Sequence, residues 1–482
     1  MTLSTLPNPH PIDMSTTNKF LVETGRIKAA KKSQSLLSAS CTVFDTHDSI
    51  WGESGISAAI NFAIYALQHG AGCAIHLSKL RERGHDNGKG LIASGPCSLI
   101  PVFSAINAWI RRGGEYKNGA ITATIDANSK DLREFCELPR SVIPWVKRCI
   151  NLNEGMWHDL EPDIQDLICQ GIAAGDLWLA KTRWDRFGNR IFSNVCLEIF
   201  IPSRGTCILS HINMGLCELG DLDFAFTDGM RQLCQLHAAS GVDRDGYYLS
   251  PSEDRQVGLG MVGFANFLAL HGVTYAQFAD AIELHQGFTH DLMVTPEALR
   301  LVKSLQQAID KAADVAREYQ MERAFCIAPT ATCSYKHVDR NGYTTTPEIA
   351  PPISRLVDRD SATFGVQQVN YGPLVEIASE VGWPTWTRCA DGIVRMYQST
   401  DLFHGYSYNT WSDDPAVKYT PEFIETWLAS PQTSMYYSLQ VMAGTQAKDS
   451  VEGVEEDFVF DFSEIEGEAC STEEPFCTSC AE

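Results

Sequence analysis

Apolar runs alternate with helically spaced segments from "LLSASCTVFD" (36–45) to about residue 445. In "ISAAINFAIYALQHG" (56–70) the apolar positions recur at helical spacing and the run stops at Gly70, which predicts a helix. "DGMRQLCQLHAAS" (228–240) and "EALRLVKSLQQAIDKAADVAREYQ" (297–320) predict two more. "AITATID" (120–126) and "RIFSNVCLEIF" (190–200) predict strands. Strands alternating with helices predict an α/β fold built on parallel strands. No short internal repeat is present.

The strand pattern at 190–200 has one unusual feature. Val195, Leu197 and Ile199 form one alternating set, while Asn194, Cys196 and Glu198 form the other. That second set is an amide, a thiol and a carboxylate. Spacing at i, i+2 and i+4 allows the three to converge on one small ligand.

Composition narrows the setting. The 482 residues are 44% hydrophobic, enough for a large core. A formal net charge of −22 argues against nucleic acid and anionic membranes as direct partners. A small anionic ligand would need a pocket of oriented N–H groups. No apolar run reaches about 18 residues, so no membrane span is expected. The opening "MTLSTLPNPHPIDMST" lacks the pattern of a signal peptide, so a cytoplasmic location is expected. The 16 cysteines should then stay reduced and mostly pack the core.

Residues 1–35 are polar and read as an N-terminal extension, with a basic patch at Arg26, Lys28, Lys31 and Lys32. Residues 36–445 read as one folded unit. The segment 446–482 reads as a tail: beyond Lys448 it has no lysine or arginine, and its acidity predicts an extended, mobile chain. It ends in the pair Cys477 and Cys480.

Four motifs admit both an ordinary and a chemical reading. "GLGMVG" (258–263) has the glycine spacing of a dinucleotide site, but a polar, loop-like segment precedes it, and close helix packing is the better reading. "CTSC" lacks the further ligands of a zinc site, and a mobile dithiol able to carry reducing equivalents is simpler. "APTATCSY" (328–335) after a strand end is either an ordinary turn or a phosphate cradle. "SMYYSL" (434–439) places Tyr436 and Tyr437 side by side on a predicted strand, where neighbours point to opposite faces. Such a pair is structural unless a redox site lies close by.

"SASCTVFDTHDSI", "NVCLE", "CILSHIN" eleven residues after the cysteine of "NVCLE", "APTATCS", "MYY" and the terminal "CTSC" occur in one order. Jointly they resemble the large, catalytic subunit of ribonucleotide reductase, from about Ser40 to the C-terminus. The resemblance implies a ten-stranded α/β barrel of two five-stranded parallel halves, with a central finger loop carrying Cys196 at its tip. It implies a thiyl radical on Cys196 that takes hydrogen from the ribose 3′ carbon, Glu198 as general base and Asn194 as a hydrogen-bonding group for the sugar. Cys41 and Cys207 correspond to the redox pair that ends each turnover as a disulfide. Cys477 and Cys480 correspond to the tail pair that re-reduces it, with thioredoxin or glutaredoxin as external reductant. Tyr436 and Tyr437 correspond to a radical path from a separate, metal-containing small subunit, with no cofactor or metal held by this chain.

Substrate contacts carry over as Ser40, Ala71, Gly72, Asn194, Pro329, Thr330, Ala331, Thr332, Cys333 and Ser334. Cys333 departs from the serine or threonine usual there. Asp48, Ser49, Ile50 and Arg81 match a nucleotide effector (dNTP or ATP) site, with "RGHDNGKG" (83–90) and "GGEYKNGA" (113–120) as its loops. The implied activity is reduction of ribonucleoside diphosphates to 2′-deoxyribonucleoside diphosphates, by a homodimer. Only forty residues precede Cys41, so the resemblance implies a reduced form, of a viral kind, without the ATP cone. Two alternatives stay open. The spacing of eleven from Cys196 to Cys207 matches the adenosylcobalamin-dependent class. A non-enzymatic nucleotide-binding remnant would regulate another reductase, although the retained set Cys41, Asn194, Cys196, Glu198 and Cys207 argues against it.

Overall fold

The computed structural model describes residues 18–32, 37–86, 88, 90, 92–110, 119–288, 293–361, 365–412 and 419–440. After β1 (Leu21–Glu23), the strands β2 (Cys41–Asp45), β3 (Gly72–His76), β4 (Ile121–Asp126), β5 (Val146–Leu152) and β6 (Leu177–Lys181) pair in parallel, each with its successor in sequence. Every residue of β2 and β3 is buried, as expected for strands covered on both faces. The chain then leaves the sheet through β7 (Arg183–Trp184), β8 (Arg190–Ser193) and β9 (Phe200–Ile201), which pair antiparallel. The two-residue β10 (Thr206–Cys207) returns antiparallel to β2.

A second parallel set follows: β11 (Leu209–Asn213), β12 (Gln256–Val262) and β13 (Arg323–Ile327). A hairpin of β14 (Leu356–Ser361) and β15 (Gly365–Asn370) precedes β16 (Phe403–Tyr406), which pairs in parallel with β13. Near the end of the described chain, β17 (Thr410–Ser412) pairs with β19 (Ser438–Gln440), and β18 (Ser434–Met435) pairs antiparallel with β6. The result is a seven-stranded sheet, β10-β2-β3-β4-β5-β6-β18, and a five-stranded sheet, β1-β11-β12-β13-β16. This is a mixed α/β fold whose parallel strands curl into a half-barrel. β1, inside the expected N-terminal extension, contributes the edge of the second sheet, with Val22 opposite His211.

The helices lie between successive parallel strands. Ile56–Gln68 ends as its sequence suggests, with Gly70 at φ +80°. The helix expected from residue 228 begins earlier, spanning Leu222–Ala238, because a turn at Leu219–Asp221 feeds into it and is held by reciprocal Glu218 and Asp221 caps. Pro296–Glu318 starts where Thr295 Oγ1 accepts the Ala298 N–H at 3.3 Å. Its alanines, leucines and valines face the core and pack on Leu222–Ala238. Among the described residues no helix is long and apolar enough to cross a membrane.

The glycines of 258–263 do serve close packing, but against strands rather than a helix. They lie largely within β12. A Cβ on Gly258 would fall 2.4 Å from Leu209 Cδ2 and 2.6 Å from Cys326 Sγ, on the flanking strands. A Cβ on Gly260 would fall 2.6 Å from the Cys326 backbone oxygen. That oxygen belongs to the neighbouring strand and has little freedom to retreat. Gly260→Ala is therefore expected to destabilise the fold by about 1–3 kcal/mol, the usual range for overpacking, read as a lower urea midpoint. An unchanged midpoint would show that the sheet yields there.

Candidate active site

The predicted strand 190–200 breaks at its centre. β8 ends at Ser193 and β9 begins at Phe200, and residues 194–199 turn between them. The turn depends on Leu197, which adopts φ +68° although it is not glycine. Asn194 closes the loop: its N–H donates to the Ile199 carbonyl at 2.9 Å, and its Oδ1 accepts the Ile199 N–H at 3.2 Å. Strict alternation is thereby lost. Val195, Leu197 and Ile199 are buried, but so are Asn194 and Glu198, and only Cys196 stays partly open.

The loop is fastened to both sheets. Thr122 of β4 donates to the Val195 carbonyl at 3.2 Å, and His76 Nε2 of β3 lies 3.1 Å from the Ser193 carbonyl. From the other side, the Ser407 hydroxyl beyond β16 donates to the Cys196 carbonyl. Phe200 N–H donates to His404 Nδ1 at 3.3 Å, and His404 Nε2 lies 3.1 Å from the Val257 carbonyl. Burial holds that imidazole neutral by pushing its pKa well down. Val195 and Ile199 pack with Val43 and Ala74 of one sheet and Leu209 and Cys326 of the other.

Three thiols meet at this loop. In the β10–β2 register Cys207 stands directly opposite Cys41. The Cys41, Cys196 and Cys207 thiols pack in one cluster, where the other two act on the Cys41 thiol. The Cys196 contact favours the Cys41 thiolate, but the Cys207 contact and burial outweigh it, and the Cys41 pKa is raised well above the usual range. Burial pushes Cys207 up to about 12. Both groups are thus held as neutral thiols. Gly72 leaves room for the loop beside them, since a Cβ there would sit 3.1 Å from Val195 Cγ2 and 3.3 Å from the Ala120 carbonyl oxygen.

Glu198 is 1% exposed. Burial lifts its carboxyl to about 7, against opposing pulls from a backbone N–H, the Asn194 amide and the Ser407 hydroxyl. Ser407 Oγ donates to Glu198 Oε2 at 3.3 Å. Asn194 Nδ2 closes no full hydrogen bond and stays buried beside the carboxyl. A carboxyl poised near neutrality next to an unsatisfied amide can exchange a proton with a bound hydroxyl.

Tyr436 and Tyr437 do not sit on opposite faces of a strand. They occupy the break between β18 and β19, so both rings turn to one side. Their centroids are 4.3 Å apart, and they meet Trp178 at 4.4 and 5.1 Å. Both pack on the cluster that contains Leu197, the residue after Cys196. Tyr408 and Asn409 hold their backbone: Tyr436 N–H donates to the Tyr408 carbonyl at 2.9 Å and Tyr437 N–H to Asn409 Oδ1 at 3.3 Å.

The remaining expected residues that the structure describes fall into three groups. Ser40 N–H donates to the Cys207 carbonyl and Gly72 N–H to the Ser40 carbonyl, each at 2.8 Å, so both adjoin the thiols. Ala71 is buried one position before Gly72. Pro329 and Thr330 lead from β13 into a helical turn, Ala331–Ser334, that also carries Thr332 and Cys333. Pro329 and Ala331 line a cleft that Tyr436, Asn409 and Glu348 also line. Asp48, Ser49 and Ile50 lie away from it, on an exposed turn after β2, where Arg81 Nε donates to Asp48 Oδ2 at 2.6 Å. Residues 113–118 of the second effector loop, and Cys477 and Cys480, are outside the described residues.

Sequence reasoning missed Trp178, Ser407 and Glu348. Trp178 resembles any buried aromatic in a strand, and Ser407 carries no motif. Glu348 had a signal: it is the single charge in "YTTTPEIAPPI" (343–353).

Residues 39–161 match the family model of the ribonucleotide reductase barrel domain. No curated protein sequence matches the chain. Among solved structures, the Actinobacillus ureae class Id ribonucleotide reductase alpha subunit is similar, with a TM-score of 0.61 and 15% identity over 88% of this chain and 88% of that one. At that identity the likeness is one of fold.

The Glu198 carboxyl is neutral in the folded chain up to about pH 7 but ionises near 4.5 when exposed. A raised carboxyl pKa means stability is lost as pH rises between those values, by roughly 1.4 kcal/mol per pH unit, and no further above them. Glu198→Gln removes this loss. Its melting temperature relative to the parent protein should climb from about pH 4.5 to about pH 7 and then level off. A difference independent of pH would mean that Glu198 is ionised in the fold.

Proposed function

We propose that this chain is the catalytic subunit of a ribonucleotide reductase that converts ribonucleoside diphosphates to 2′-deoxyribonucleoside diphosphates. One observation carries the reading: Cys41, Cys196 and Cys207 pack together at a loop that also presents Glu198 and Asn194. The surrounding strands are read as the halves of a ten-stranded barrel, with residues 194–199 as its finger loop. A thiyl radical on Cys196 takes the ribose 3′ hydrogen while Glu198 accepts the 3′ hydroxyl proton, and Asn194 Nδ2 holds the sugar. Cys41 and Cys207 together give two electrons and two protons. They end as a disulfide while the 2′ oxygen leaves as water. Cys196 then returns its hydrogen to the 3′ carbon.

The contact between Tyr436 and Tyr437 supports the class in which a metal-containing small subunit supplies the oxidising equivalent. The adenosylcobalamin class remains the second reading, favoured by the spacing of eleven between Cys196 and Cys207. The pair Cys477 and Cys480 is assigned to re-reduction of the disulfide, with thioredoxin or glutaredoxin as the source. The turn at Asp48, Ser49 and Ile50, with Arg81, is assigned to a nucleotide effector, and the working form to a homodimer in the cytoplasm.

The test is deoxynucleotide formation from each ribonucleoside diphosphate, with candidate small subunits or with adenosylcobalamin. Cys196→Ser should fall to background in every case, because a serine O–H is far harder to break homolytically. Tyr436→Phe should fall to background only where a small subunit drives the reaction. An active Tyr436→Phe enzyme with a small subunit would remove the tyrosine path. Turnover by Cys196→Ser would remove the thiyl mechanism.

A further inference from the structure

Glu348 is placed unlike an ordinary structural carboxylate. It is 4% exposed and adopts φ +50°, a left-handed backbone that costs a glutamate about 1 kcal/mol or more. Its backbone is held on both sides. The N–H donates to Thr330 Oγ1 at 2.8 Å, and the carbonyl accepts the Phe264 N–H at 3.4 Å. Its carboxyl is only partly satisfied, for Oε2 has no hydrogen-bond partner among the described residues. Burial pushes the carboxyl up to about 8; the Thr330 backbone and the Tyr406 hydroxyl oppose this, and the nearby Glu198 charge adds to it.

Strain, burial and an unmet hydrogen-bonding group therefore coincide in one residue, and that residue lines the cleft shared by Pro329, Ala331, Asn409 and Tyr436. The cleft walls are mainly proline, alanine, isoleucine and tyrosine. A buried polar group without a partner is costly, so a ligand that completes it gains. A neutral carboxyl presents an O–H donor as well as acceptor oxygens. A phosphate is the wrong match, because ionisation would set like charges face to face. A hydroxyl can both accept from and donate to it. The Glu198 charge acts on Glu348, which places Glu348 near the loop that carries Asn194 and Glu198.

We infer that Glu348 is a ligand-binding residue of this cleft that hydrogen-bonds a ribose hydroxyl of the bound nucleotide. The inference rests on the nucleotide-reducing reading above and adds a sugar contact to it.

The test measures equilibrium binding of CDP and of 2′,3′-dideoxy-CDP to the full chain. The parent protein should prefer the ribose form. Glu348→Gly suits the left-handed backbone, so its melting temperature should hold or rise, while its preference for CDP should shrink about tenfold, the loss of one hydrogen bond. Glu348→Gln keeps an N–H donor and should retain most of the preference. Glu348→Asn also tolerates a left-handed backbone but withdraws the polar group, and it replaces the glycine variant should that fail to fold. A folded Gly or Asn variant with the parent's preference would overturn the inference and leave the nucleotide reading standing. A parent protein that binds neither compound would overturn both.

Discussion

A backbone loop between two sheets must find partners for its own N–H and C=O groups, and six residues leave little choice in how. Residues 194–199 meet this constraint from both sides. Asn194 closes the loop internally, Thr122 anchors Val195 to one sheet, and Ser407 anchors Cys196 to the strand end of the other. Leu197 takes the left-handed turn that the closure requires. Once the backbone is fixed this way, the position of Cys196 beside Cys41 and the burial of Glu198 follow. The short β10 completes the arrangement, because its antiparallel pairing with β2 is what sets Cys207 opposite Cys41.

Burial then determines the chemistry. Cys41 and Cys207 are held as neutral thiols, so each keeps its hydrogen but is a poor nucleophile. Such a pair can deliver hydrogen to a buried substrate, yet it is badly placed to exchange with reductants in solution. Its restoration after oxidation requires an attacking thiolate that can enter the site. The proposed tail dithiol answers that need. The same burial lifts Glu198 and Glu348 toward neutrality, so both carboxyls can hold or release a proton at ordinary pH.

The regular parts of the fold were legible in the sequence because their periodicity is strong. The helix at 56–68 and strand β4 follow directly from spacing. The loop of residues 194–199 was not legible as a turn. No glycine, proline or asparagine marks its left-handed position, and Leu197 reads as the middle of an alternating strand. The strand expected across the tyrosine pair failed for the same reason, since a break between β18 and β19 leaves no trace in "SMYYSL". The amide, thiol and carboxylate of the loop were visible as a chemical anomaly. The partnership of Cys41 with Cys207 was not visible from spacing, because a two-residue strand 166 positions away carries too little pattern to predict its pairing. It came from the family resemblance. Glu348 was overlooked because its significance lies in strain and an unmet hydrogen bond, which only coordinates reveal.

The central claim is that Cys41 and Cys207 form a reversible dithiol at the loop of residues 194–199. Directly opposed residues on antiparallel strands stand about 4.5–5.5 Å apart at Cα, within the range a disulfide spans. Limited oxidation of the full chain with diamide, followed by alkylation and peptide mapping by mass spectrometry without reduction, tests the claim directly. The account predicts a Cys41–Cys207 disulfide among the cross-links within residues 37–412, reversed by a small dithiol with the fold intact. Cys41 and Cys207 that remain separately alkylated while other cysteines of that region join would contradict it.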